Sequence, residues 1–107
     1  GSGARESEWQ ARPIAVQWAG ISKLIAGEIF FQREKQNGQI KMTLPEQLGV
    51  CKGTYLMTEN HTGVWSIACN NGMSASGTLI AYGSGKGSSG EGLDEDGNPV
   101  KFTMGGR

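Results

Sequence analysis

A period of two sets in at Pro13 and runs, with glycine-marked breaks, to residue 104. The run "IAVQWAG" puts Ile14, Val16 and Trp18 on one face, and "PVKFTM" does the same with Val100, Phe102 and Met104. Successive residues of a strand point to opposite faces, so this alternation marks half-buried strands. Glycine supplies the breaks: 18 of 107 residues, against a usual share of roughly 7%. These glycines sit between β-branched and aromatic residues, so they punctuate short strands and do not dilute a disordered tract. The pattern predicts strands at 13–19, 27–35, 39–44, 50–57, 63–69, 73–82, 87–93 and 99–104, joined by short connections. Short connections make consecutive strands antiparallel neighbours. The expected fold is therefore all-β: an antiparallel meander of some six to eight strands. It must bury one face and hide its edges, which closing into a small β-barrel achieves, with a two-sheet β-sandwich as the alternative.

Length allows one domain with its own core, placed at 13–107. The opening "GSG" at 1–3 reads as a cloning scar, and 4–12, "ARESEWQAR", as a polar N-terminal arm or short helix carrying Trp9. Ten basic and ten acidic residues cancel. No global field attracts nucleic acid or an anionic membrane, and no run of about 18 apolar residues provides a transmembrane segment.

Asn37-Gly38 suits a two-residue hairpin turn. Centring a turn there sets Lys35 opposite Ile40, Arg33 opposite Met42, Phe31 opposite Leu44 and Glu34 opposite Lys41. Further on, a turn at 58–62 sets Cys51 opposite Cys69, Gly53 opposite Ile67, Tyr55 opposite Trp65 and Met57 opposite Gly63. That register sorts apolar from polar side chains, Leu56 and Val64 excepted. A three-residue loop at 70–72 continues it, with Ile67 opposite Ala75 and Trp65 across Gly77. A one-residue slip would mix the faces. Facing cysteines on adjacent strands predict a Cys51–Cys69 disulfide, which loop-closure entropy makes worth roughly 3 kcal/mol. A structural disulfide favours a periplasmic or secreted life over the cytosol. The cysteines are not spaced as C-x-x-C, and two thiols with one histidine make no usual zinc set, so no metal site is expected.

"GSGKGSSGEG" at 83–92 mimics a phosphate cradle. A phosphate loop needs a hydroxyl directly after its lysine and a helix starting there. Here Gly87 follows Lys86, and Ser-Ser-Gly-Glu-Gly is no helix start. Neither nucleotide nor other cofactor is expected. "DEDGN" at 94–98 lacks the closing glutamate of a calcium loop and reads as a hairpin turn. His61, the sole histidine, falls in a turn with no nucleophile signature beside it. A solvated turn histidine is its plain reading, and an enzyme site built around it the sharper one.

The stretch "CKGTY…GVWSIACNNGMSASGT" and the glycine-rich hairpins after it resemble small exported or lipoprotein-like β domains of proteobacteria over residues 50–104. The resemblance implies an envelope location and brings no catalytic residues; the cloning scar independently leaves room for a removed N-terminal segment that carried a membrane anchor. In a meander alternate loops share an end. One end collects Glu46, Asp94, Glu95 and Asp96 against the lone Lys23; at the other Arg33, Lys35, His61, Lys86 and Arg107 outweigh Glu34 and Glu59, with Trp9 as an anchor. The expectation is a non-enzymatic binding or assembly module that takes a protein or glycan partner at its basic end, through Arg33, Lys35, His61, Lys86 and Trp9. The alternatives are an inhibitor or small hydrolase-like site around His61, and a structural envelope protein with no ligand.

Overall fold

A computed structural model describes residues 9–32, 35–82 and 86–105. Eight strands succeed one another in chain order: β1 (Trp9–Trp18), β2 (Ile25–Gln32), β3 (Asn37–Thr43), β4 (Val50–Met57), β5 (Thr62–Cys69), β6 (Ser74–Ala81), β7 (Ser88–Asp94) and β8 (Pro99–Met104). Each pairs antiparallel with the next, and β8 returns to β1 from Thr103 opposite Ala15 to Val100 opposite Trp18. The sheet thus closes on itself as a barrel, and closure removes the edge strands a sandwich would keep.

Alternation drives the packing. Ile14, Val16, Trp18, Ile25, Ile29, Ile40, Met42, Leu44, Trp65, Ile67, Val100 and Phe102 are all buried within one cluster. Bulky inward side chains lie beside glycines on the neighbouring strand, which leave room for them. Trp65 lies across Gly77 and Phe102 across Gly90; a Cβ at Gly90 would overlap the Phe102 ring. The two aromatic rings meet edge to face at 5.7 Å, a favoured aromatic geometry. The Trp65 indole donates to the Thr78 carbonyl at 2.9 Å, so its polar atom is satisfied inside the barrel.

Outward positions carry Glu28, Lys41, Lys52, Glu91 and Lys101 in mid-strand. A lipid-facing band would be apolar there. No helix among the described residues is long and apolar enough to cross a membrane.

The register of β4, β5 and β6 is the expected one: Cys51 pairs Cys69, Tyr55 pairs Trp65, and Trp65 pairs Gly77. Cys51 and Cys69 form a disulfide. Two expectations fail. Trp9 is not in an arm; it opens β1 opposite Gln32, because backbone pairing with β2 continues past the point where the apolar pattern stops. Asn37-Gly38 is not a turn. It opens β3, with Gly38 opposite Phe31, Ile40 opposite Ile29 and Met42 opposite Gly27. The reason is packing: the expected register would set Lys35 against Ile40, a charge across from a core position. Gly38 also lies under the Tyr55 ring, where any side chain would overlap it. Lys41 consequently faces Glu28, and Arg33 and Glu34, expected opposite Met42 and Lys41, lie outside the described residues.

Candidate functional site: the open end of the barrel

The two ends are finished differently. At one end, with the β1–β2, β3–β4, β5–β6 and β7–β8 connections, the lumen is plugged. Trp18, Ile25, Leu44, Val100 and Cys51 are almost wholly buried there, with Ile21 and Met73 half-buried beside them. The Trp18 indole donates to Asp94 Oδ2 at 2.9 Å, reaching from β1 to the end of β7. Asp94 Oδ1 accepts the backbone N–H groups of Asp96 and Asn98 at 2.9 and 2.8 Å, and Asn98 Nδ2 donates to Oδ2. "DEDGN" is thus the β7–β8 turn, built around Asp94. The indole hydrogen bond, then those from Asn98 and Asp96, hold the Asp94 carboxyl down at about 2, against a smaller opposing effect of desolvation.

The opposite end carries the β2–β3, β4–β5 and β6–β7 connections and the start of β1. Inward-facing Phe31, Tyr55, Met57 and Met104 pack against the core there but remain half-buried. Burial pushes the Tyr55 phenol above its ordinary value. Around this apolar rim the loops are tied down by their backbones. Ala81 N–H donates to the His61 carbonyl at 2.8 Å, Met57 N–H to Gln36 at 2.7 Å, and Tyr82 N–H to Gly87 at 3.0 Å. The Tyr82 and Ser89 hydroxyls share a hydrogen bond beside the third loop.

The topology therefore brings Lys35, His61 and Lys86, from three separate loops, to the end where Trp9 starts β1. All four are exposed, Trp9 by 48%. Arg33 belongs to the same connection as Lys35 but lies outside the described residues, as do Gly83, Ser84 and Gly85 of the glycine-rich loop and Arg107. Strand β7 begins at Ser88, just past Lys86, where a phosphate loop would start a helix. No hydrogen bond among the described residues joins the His61 imidazole to a carboxylate or hydroxyl. Two features could not be read from the sequence. The apolar rim looked like ordinary core, although its position next to the loops marks it. The Trp18–Asp94 bond spans 76 positions and left no local signal.

Fold and ends together define a small closed β-barrel whose plugged end is packed more deeply than the other, here termed the open end. No protein-family model matches the chain, and no curated protein matches it. Among solved structures it is similar to a redesigned β-barrel, mFAP1, bound to DFHBI, with TM-score 0.70 and 16% identity over 91% of this chain and 92% of that one. A second redesigned β-barrel, b11L5F_LGL, matches with TM-score 0.70 and 15% identity over 97% of this chain and 93% of that one. At such identity the likeness establishes the barrel fold alone.

Proposed function

We propose that this barrel is a non-catalytic binding module, exported to an oxidising compartment, that captures its partner at the open end. The observation carrying this reading is the asymmetry of the two ends. Trp18, Leu44 and the Asp94 network pack one deeply, while the other brings exposed Trp9, Lys35, His61 and Lys86 to the same end as half-buried Phe31, Tyr55, Met57 and Met104. An apolar floor ringed by basic and aromatic side chains resembles the core-and-rim organisation of protein interfaces. Lys35 and Lys86 outnumber Glu59 among the described loop residues there, and that excess favours an acidic partner and speeds encounter even in a neutral molecule. Export is supported by the disulfide, which persists in the periplasm or outside the cell and is rare in the cytosol.

Replacing Lys35, His61 and Lys86 together by glutamine tests the reading. Exposed charges contribute little to stability, so the melting temperature should stay nearly unchanged while capture of the partner from the source cell is lost. Intact capture by the triple variant, with loss on neutralising Glu95 and Asp96 instead, would move the site to the plugged end.

A further inference from the structure

On the outer wall of the barrel Lys41 of β3 stands directly opposite Lys52 of β4. Both are exposed, and like charges directly opposite on adjacent strands destabilise a sheet. Glu28 answers Lys41 from β2, but the next residue along, Ala68 on β5, offers Lys52 nothing. Among the described residues neither ammonium takes part in a hydrogen bond or ion pair. With one carboxylate against two ammonium groups, the row holds a single net positive charge, and Lys52 has no acidic neighbour across from it.

Two grooves border this pair, and both lysines line each of them. One, of about 440 Å³, lies toward the open end, with Phe30, Gln39 and Thr54 on its other side. The second, of about 590 Å³, lies toward the plugged end beside Thr43, Val50 and Asn70. Phe30, Gln39 and Thr54 are consecutive cross-strand partners on β2, β3 and β4, so ring, amide and hydroxyl stand side by side next to the lysine row. Phe30 faces outward on its strand, where a large aromatic has no core to fill.

We propose that the groove between these two rows binds an acidic sugar, a uronate or sugar phosphate. The ammonium groups of Lys41 and Lys52 hold the anion through charge-assisted hydrogen bonds. The Phe30 ring receives the apolar C–H face of the pyranose, and Gln39 and Thr54 bond its hydroxyls. Bound anion also relieves the repulsion between the lysines, so ligand and fold stabilise each other. The same chemistry is offered by a free acidic monosaccharide and by the terminal unit of an acidic glycan.

The test is a titration of the isotope-labelled whole chain with glucuronate, glucose and acetate, following backbone amide shifts. Glucuronate should perturb Gln39, Lys41, Lys52 and Thr54 in a saturable way, and glucose and acetate should bind at least about tenfold more weakly. K41Q with K52Q should weaken glucuronate at least about tenfold. The same double change removes one repulsive pair, Lys41–Lys52, and one attractive pair, Glu28–Lys41, so the melting temperature of the free protein should stay nearly unchanged and loss of binding cannot be put down to misfolding. F30L should weaken glucuronate while leaving acetate unchanged. A uronate-ended oligosaccharide binding more tightly than glucuronate identifies a glycan as the source, and one binding no more tightly identifies the free sugar. Absence of saturable shifts, equal binding of acetate, unchanged affinity in the double variant, or perturbations centred on His61 and Lys86 would each overturn the proposal.

Discussion

Asp94 lies half-exposed at a turn, yet four hydrogen bonds from three residues converge on its carboxylate. One of them ties the β7–β8 turn to the deepest tryptophan of the plug. Its carboxyl titrates at about 2, below its ordinary value of 3.8. A depressed folded-state value means that the stabilisation is fully present above the unfolded value. It is lost as pH falls from there through about 2. Thermal melts of the unsubstituted chain should therefore show a fall in melting temperature between about pH 4 and 2. Asp94→Asn, which keeps the shape but not the charge, should flatten that dependence and lower stability at neutral pH. An unchanged acid slope in the variant would assign it to other carboxylates. In the sequence Asp94 was legible as a turn residue only; its partner Trp18 is too distant along the chain for any local pattern to pair them.

At the level of elements, legibility divides along the sheet. The β4–β6 registers could be read because facing cysteines, aromatics and glycines agree on one alignment, and a slip would expose every buried residue. The β2–β3 pairing could not. Asn37-Gly38 carries the chemistry of a tight turn, but Gly38 is needed flat beneath the Tyr55 ring, a demand made by β4 and invisible within the hairpin. Tertiary packing overrode local turn preference there. Glycine has a comparable role at Gly77 on β6. A Cβ added there would run into the Glu91 carbonyl and the Gly92 Cα, and backbone cannot swing aside as a flexible side chain can. Gly77→Ala should destabilise the barrel by about 1–3 kcal/mol, the usual range for overpacking a filled interior. Gly105→Ala, where a Cβ meets nothing, should be nearly silent. Urea denaturation of the two variants compares them directly, and equal midpoints would refute the close approach of β6 and β7.

For the whole molecule, the alternation demands one buried face and protected edges, which a barrel or a sandwich supplies; the β8–β1 pairing resolves that choice as closure. The loop-by-loop sorting of charge was likewise legible, since a meander sends alternate connections to opposite ends. The sequence could not show that one end is sealed by large buried side chains while the other keeps a half-buried apolar rim. Inward-facing residues read alike at both ends, and their burial depends on what the loops place above them. That difference is the basis of the functional account, and site-specific photocrosslinking in the source cell tests it most directly. A photoreactive residue placed in turn at positions 35, 61 and 86 should each trap the same partner, while placement at 23, 46 and 95 should trap none. A partner trapped only from 23, 46 or 95 would contradict the account.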